Sequence, residues 1–273
     1  KETSIMAKKR ILYVSQEITP YLPANDLSKT ARFLPQAMNE SGIEVRLFMP
    51  RFGCINERRH QLHEVIRLSG MNLNVNDIDQ PLIIKVASIP QARMQVYFID
   101  NEEYFKRKFT TVDKKGKFYE DNDERALFFC RGVIESVKKL GWSPDVIHCN
   151  GWMASFLPMY LKKFYHDDPI FEKIKIVFSF YNHSFEGTLN KGLVEKMKFD
   201  GFSEEDIAGF SAANNKKLIE TAIKHSDAVI KGSSELDADI NEMIESAKLP
   251  TLEFADSEYK EQYKPFYESL FED

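Results

Sequence analysis

Arg10-Ile11-Leu12-Tyr13-Val14-Ser15, residues 27–39, and then Glu44-Val45-Arg46-Leu47-Phe48-Met49 form the stretch that decides the fold. The first segment is a short apolar run and reads as a buried strand. In the second, Leu27, Ala31, Leu34 and Met38 recur at three- and four-residue steps, the spacing of one helical face, and Gly42 follows as a stop. The third reads as another strand. A strand, a helix and a strand in this order predict a right-handed crossover within a parallel sheet.

The same alternation continues outward. Strands are expected at 82–87, 95–99, 146–148, 174–180 and 228–230, and helices at 123–140, 153–164, 216–224, 234–245 and 257–271. Strands alternating with helices predict an α/β fold, a Rossmann-like doubly wound and mostly parallel sheet. Ligands of such sheets sit beyond the carboxyl ends of the strands. The segments 16–28, 149–153, 181–187 and 231–235 therefore hold the candidate site. Pro250 breaks the chain after the last alternating unit. Residues 7–248 are expected to form the Rossmann domain, and residues 249–273 a helical tail. Tyr259, Tyr263, Phe266, Tyr267, Leu270 and Phe271 recur at helical steps in that tail, with Pro265 placed to kink or delay it. Such a stripe either covers apolar surface of the domain or docks a protein partner.

Composition bounds the rest. The chain has 273 residues, 43% hydrophobic, with 21 Phe and 11 Tyr, enough for a sizeable core and incompatible with global disorder. A net charge of -5 argues against nucleic-acid binding. No apolar run approaches the ~18–20 residues of a membrane span. Residues 1–10 carry charges with no apolar segment behind them, so no secretion signal is visible. Whether residues 1–5 are native is left open by Met6. Cys54, Cys130 and Cys149 are odd in number and widely spaced, which fits reduced thiols of a cytoplasmic protein better than a disulfide framework or a metal site. His60 and His63 lie in a charged stretch without metal-ligand spacing. His148 and Cys149 are adjacent on a strand, point to opposite faces and make no catalytic dyad. The lysines of 106–108 and 114–117 read as a solvated or mobile basic loop. No metal and no cofactor are expected.

The four carboxyl-end segments, in this order, resemble the N-terminal half of bacterial glycogen synthases and plant starch synthases, retaining glycosyltransferases with two Rossmann domains (GT-B, glycosyltransferase family 5). The resemblance spans residues 10–241. It rests on Val14-Ser15-Gln16-Glu17 with Pro20, Leu34-Pro35, Val45 to Arg51, Tyr97-Phe98-Ile99-Asp100-Asn101 with Tyr104-Phe105, and Tyr119, Asp121-Asn122, Glu124-Arg125, Phe128-Phe129. Pro144 to His148, Trp152, Asn182, Phe185, Gly187 and Ser226-Asp227-Ala228-Val229 complete it. The activity it implies is transfer of glucose from ADP-glucose or UDP-glucose to an α-1,4-glucan. The tail resembles the C-terminal helix with which two-Rossmann transferases cross back onto their first domain.

The departures bear on that activity. Where the family has Lys-Thr-Gly-Gly-Leu, this chain has Pro23-Ala24-Asn25-Asp26-Leu27. The lysine and glycines that admit a sugar diphosphate at a helix N-terminus are gone. Asp26 is expected to cap the helix and fill the anion site, repelling a diphosphate by roughly 3 kcal/mol at ~5 Å and an effective dielectric of ~20. The family's His-Asp-Trp-His is Asn150-Gly151-Trp152-Met153 here, and its His-Asn-Leu-Ala-Tyr-Gln-Gly is Tyr181-Asn182-His183-Ser184-Phe185-Glu186-Gly187. Val-Ser-Pro becomes Gly232-Ser233-Ser234. The family's second Rossmann domain carries the basic residues that neutralise the departing diphosphate, and residues 247–273 are too few to supply it. No catalytic residue is therefore assigned. Asn25, Asp26, Asn150, Trp152, Tyr181, Asn182 and His183 are the substrate-binding candidates, for a glucan or small sugar near Trp152 and Tyr181. The expected role is a regulatory or scaffolding module, not catalytic alone. The alternatives are a half-enzyme completed by a separately encoded C-terminal domain and, third, an enzyme of different chemistry in the same cleft.

Overall fold

The computed structural model describes residues 6–271. The expectations on residues 1–5 and on the last two residues of the tail lie outside them. In chain order the elements are β1 (Arg10–Ser15), α1 (Asp26–Glu40), β2 (Glu44–Pro50), β3 (His63–Glu64), β4 (Met71–Val75), β5 (Ile78–Ile89), β6 (Met94–Asp100), α2 (Glu102–Phe105) and α3 (Asn122–Leu140). They continue with β7 (Val146–Asn150), α4 (Leu157–Phe164), β8 (Lys175–Phe180), α5 (Leu193–Asp200), α6 (Asn215–Lys224), β9 (Ala228–Lys231), α7 (Ala238–Ala247), β10 (Thr251–Leu252) and α8 (Tyr259–Phe271).

The strands form one sheet in the order β10-β9-β8-β7-β1-β2-β6-β5-β3, with β4 paired to β5 off this path. All pairs from β10 to β6 are parallel. The β5–β6, β3–β5 and β4–β5 pairs are antiparallel. The expected doubly wound parallel sheet is therefore present, with an antiparallel edge. Order reverses at β1, which pairs with β2 on one side and β7 on the other.

Three expected boundaries move. Strand 82–87 extends to the twelve residues of β5, because Asn76 and Asp77 both take positive φ and close a two-residue hairpin onto β4. The helix expected at 153–164 opens as a short 3-10 turn at Trp152–Ala154 and becomes α4 only at Leu157, with Pro158 in its first turn where a missing N–H costs nothing. The helix expected from 234 begins at Ala238, because the Asn182 amide binds the Glu235 carbonyl (2.5 Å) and the Asp237 N–H (2.9 Å) and holds that stretch extended. Of the solvated or mobile loop expected around the basic residues, the lysines are exposed to solvent, while Arg107 makes a two-pronged bond to Asp121 and Val112 bridges Phe118. Expected to lie in a solvated loop, His63 instead pairs with Val86 in β3, at the sheet edge.

Handedness distributes the helices. The steps β6 to β7, β7 to β8, β8 to β9 and β9 to β10 all run the same way along the sheet, so right-handed crossovers put α3, α4, α6 and α7 on one face. The step β1 to β2 runs the other way and puts α1 on the opposite face. That face of β7 and β8 would stay bare without α8, which packs against α1 and β7. The aromatic stripe of the tail faces the sheet: Tyr263 and Tyr267 are buried, and Tyr259, Phe266, Leu270 and Phe271 pack against the core.

Tyr267 is anchored by hydrogen bonds as well as burial. The Tyr13 hydroxyl donates to the Tyr267 hydroxyl (3.1 Å), which lies 2.6 Å from His148 Nδ1, and His148 Nε2 meets Ser179 Oγ. A neutral imidazole, with one donor and one acceptor nitrogen, satisfies this chain throughout. Burial lowers the His148 pKa to about 3. Cys149, one residue on, is buried on the other face, where Cys130 donates to the Met153 carbonyl, and burial raises both thiols.

Two outcomes are expected. Tyr267→Phe leaves His148 Nδ1 and the Tyr13 hydroxyl without this partner in a buried layer and should lower the unfolding free energy by about 1–3 kcal/mol, read by urea denaturation. Stability should also fall with acid. Unfolded His148 takes up a proton near pH 6.5 while the folded side chain resists it to about pH 3. The loss between pH 6.5 and 5 is therefore about 2 kcal/mol, augmented by His225 and His60, whose pKa values burial also lowers. A flat profile across that window would mean that His148 is charged in the fold.

Candidate functional site

β1, β7, β8 and β9 all end at one edge of the sheet, so segments 16–28, 149–153, 181–187 and 231–235 meet there. At the reversal point between β1 and β7, the chain's own Gln16 fills the crevice. Its backbone N–H donates to the Asn150 carbonyl (3.2 Å), and its side-chain oxygen accepts from the Met153 N–H (2.9 Å). Gly151 makes room for it: at φ +87, a Cβ there would stand 2.4 Å from Gln16 Cβ. Asn150 is buried, donates to Ser15 Oγ (3.0 Å) and lines neither cavity described below.

The start of α1 departs from expectation in one respect. Asn25, not Asp26, is the cap: its side chain accepts from the Ser28 N–H, and Ser28 Oγ accepts from the Asn25 N–H, both at 2.8 Å. Asp26 sits in the first turn and accepts from Ser233 Oγ at 3.3 Å. The Ser28 N–H is thus taken up by the Asn25 side chain, and the Asp26 carboxylate lies in the first turn at the positive end of the helix.

Tyr181 follows β8 on the same face as Ser179, under α8. Its ring lies flat on Gly232, where a Cβ would meet the ring carbons at 2.4–2.7 Å. Its hydroxyl stands beside the Thr30 and Ser179 side chains without a hydrogen bond of normal geometry, and burial raises its pKa. Asn182 is spent on the loop before α7, as described above. His183 reaches across the edge to pair its Nε2 with Glu17 in the loop after β1.

Two cavities result. One, mostly apolar, has a volume of about 30 Å³ and lies between Leu27, Trp152, Phe180, Tyr181 and the Leu218 side of α6. The other, of about 290 Å³, is lined by Asn25, Asp26, Leu27, Tyr181, Asn182, His183 and Ser233. Neither lining contains Lys or Arg. Asn25, Asp26, Tyr181, Asn182 and His183 are therefore brought together, Trp152 borders them through the first cavity, and Asn150 stays apart. Among the described residues, no group of three or more His, Cys, Asp or Glu side chains is placed to hold a metal ion.

A third aromatic arrangement flanks the first cavity. Phe118 stacks on Phe185 (centroids 5.1 Å apart, planes 15° from parallel), and both pack on Trp152, at 5.7 and 4.9 Å. Phe118 belongs to a hairpin knitted to α3 by the residues around Tyr119. Asn122 donates to the Thr111 carbonyl, Arg125 to the Tyr104 and Thr110 carbonyls, and Tyr119 packs on both Arg107 and Arg125. Sequence reasoning assigned no role to Gln16, Glu17, Phe118, Phe185 or Gly232. Of these, Gln16, Glu17 and Phe185 stood in resembling motifs and Gly232 in a departure from one, and no spacing rule links 17 to 183 or 118 to 185.

Gly232→Ala should push the Tyr181 ring out of its seat. Overpacking of this kind costs about 1–3 kcal/mol, and a thermal melt should show a drop of roughly 2–4 °C per kcal/mol for a chain of this size. Tyr181→Leu in the same chain should recover most of it.

The family model for the starch synthase catalytic domain matches residues 10–249. Glycogen synthase of Chlorobium limicola (strain DSM 245 / NBRC 103803 / 6330) is 37% identical over 232 residues, which is 84% of this chain and 46% of that protein. Glycogen synthase of Chlorobaculum tepidum is 35% identical over 223 residues, 81% of this chain and 45% of that protein. The chain thus spans about half the length of the curated relatives it matches. Among solved structures, the catalytic domain of starch synthase IV from Arabidopsis thaliana, bound to ADP and acarbose, superposes with a TM-score of 0.73. Identity there is 16%, over 91% of this chain and 51% of that one, so the likeness is one of fold. With residues 10–249 matched by the family model and these relatives beside it, the chain belongs to the starch synthase catalytic domain family.

Proposed function

We propose that this chain is a glycogen- or starch-synthase-like module that binds α-glucan, does not bind a nucleotide sugar, and acts in regulation or scaffolding without transferring glucose by itself. The observation that carries this reading is electrostatic. Neither cavity at the carboxyl edge of the sheet is lined by lysine or arginine, and the one at the α1 N-terminus contains Asp26. A sugar diphosphate entering there would meet the Asp26 carboxylate and a helix end whose Ser28 N–H is already bonded to the Asn25 side chain. Leaving-group stabilisation is usually the largest part of catalysis in such transfers, and it requires positive charge that the linings of these two cavities do not contain. A neutral glucan has no such requirement, and aromatic Trp152 borders the apolar cavity. The Arabidopsis structure holds both acarbose and ADP: the acarbose supports a sugar as ligand, and the ADP favours the second reading below.

A second reading is a glucosyltransferase half that works with a second Rossmann domain. The matched family and the half-length coverage of the relatives favour it. The loop 23–27 disfavours it, because a partnering domain would not restore the lysine and glycines missing from this one.

Calorimetric titration of the purified chain separates the readings. Millimolar maltoheptaose should give saturable heat, and ADP-glucose and UDP-glucose none. Saturable binding of either nucleotide sugar would overturn the proposal and favour the half-enzyme.

A further inference from the structure

A sugar ring needs more room than the cavity beside Trp152 offers. That cavity, of about 30 Å³, holds a water or two. The one at the α1 N-terminus, of about 290 Å³, has Asp26 in its wall. A larger concavity, of about 590 Å³, lies outside both, on the far side of Phe118. It falls within the ~300–1,000 Å³ of ordinary small-molecule sites. One wall is the end of the hairpin before α3, with Phe118, Tyr119 and Glu120. The other is the loop before α5, with Thr188, Asn190 and Lys191.

Both walls are fixed. In the hairpin, Val112 bridges Phe118 and the Tyr119 N–H donates to the Thr111 carbonyl at 3.1 Å. In the loop, the Leu189 N–H donates to the Ala213 carbonyl at 2.8 Å, and Asn190 Oδ1 accepts from the Gly192 N–H at 2.8 Å. Asn190 Nδ2 also donates to the Glu120 carbonyl (3.3 Å), which joins one wall to the other. The groove therefore exists before any ligand arrives, and a preformed site loses less affinity to ordering.

Its lining combines apolar and polar surface. Phe118 and Tyr119 are half-buried. Phe118 is backed by Phe185, and Tyr119 by Arg107 and Arg125, so each ring is held from within and keeps some surface for the groove. Among the described residues, the Tyr119 and Thr188 hydroxyls and the Lys191 ammonium make no hydrogen bond or ion pair. Lys117 is paired with Glu120 at 3.4 Å. A glucose unit has C–H faces that pack on aromatic rings and a rim of hydroxyls that both donate and accept. Unspent hydroxyls and an ammonium beside ring surface match that pattern.

We infer that this groove, outside the cleft, is where α-glucan binds, with a glucose unit against Phe118 and Tyr119 and its hydroxyls bonded to Tyr119, Thr188 and Lys191. This rests on the glucan reading proposed above and names its site.

Calorimetry with maltoheptaose on the full chain tests it. Tyr119→Phe, Thr188→Val and Lys191→Met each remove one polar group and keep the bulk of the side chain, with a thermal melt of each as the folding control. Each should weaken binding about three- to tenfold, and Thr188→Val with Lys191→Met together about ten- to hundredfold. If that double variant does not fold, the single variants carry the test. Raising NaCl from about 50 to about 500 mM should change the affinity of the wild type less than about twofold, because a neutral glucan has no charge to screen. Wild-type affinity retained in all three single variants overturns the groove and leaves the glucan reading standing. Binding that weakens more than about tenfold over that salt range also overturns it, assigning the groove to an anion. No heat from maltoheptaose with the wild type overturns the glucan reading and the groove together.

Discussion

A parallel sheet is apolar on both faces and has to be covered on both. In this chain four consecutive crossovers run in one direction, and right-handedness sends their helices to one side. The opposite face of β7 and β8 is left with no helix from the alternating pattern. Its cover is α8, which arrives after the last strand and brings tyrosines rather than aliphatic residues. The choice follows from what lies beneath. Tyr13, His148 and Ser179 put polar atoms on that face of β1, β7 and β8, and an aliphatic helix would bury them unpaired, at a cost of about 1–3 kcal/mol each. Tyrosine supplies a large apolar surface and a hydroxyl in one side chain.

The carboxyl edge inherits its character from the same layer. Tyr181 continues the line of His148 and Ser179 under α8, and its ring demands a glycine at 232. Asp26 meets Ser233, one residue further, and Asn182 braces the approach to α7. The departures from the family pattern at 25–26, 181 and 232–233 are therefore one physical unit, three strand ends repacked together. A single reversion, such as restoring a glycine at 26, would leave Tyr181 and Gly232 in place. The motif around Tyr119 has a different fate. Its Asn122 and Arg125 are retained because they hold a hairpin to α3, with Arg125 fully buried among aromatic rings.

Much of this was legible in the residues. Short apolar runs and 3.6-residue spacing placed most of the sheet strands and all the covering helices, because burial of a strand or of a helix stripe writes itself directly into the sequence. The departures at 23–27, 150–153 and 181–187 could be read from a resemblance, and these segments meet at the carboxyl edge of the sheet. Less could be said of the short or polar elements. β3, β4 and α5 carry too few apolar positions for a period to show. Choosing between Asn25 and Asp26 as the cap required knowing where Ser28 falls, since either residue can cap and only the register of the first turn decides. The start of α7 was misplaced because Asn182, far away in sequence, holds the preceding residues extended.

The sequence by itself determined the alternating α/β fold, the segments that follow its strands and the absence of lysine and glycine from 23–27, since each depends on residue type and local order. Only the tertiary structure decided that the tail's tyrosines face the sheet, that Glu17 meets His183, that Tyr181 rests on Gly232 and that Phe185 covers Trp152. Each of those is a contact between segments brought together by the sheet's strand order, and strand order at long separation leaves no periodic trace in a chain.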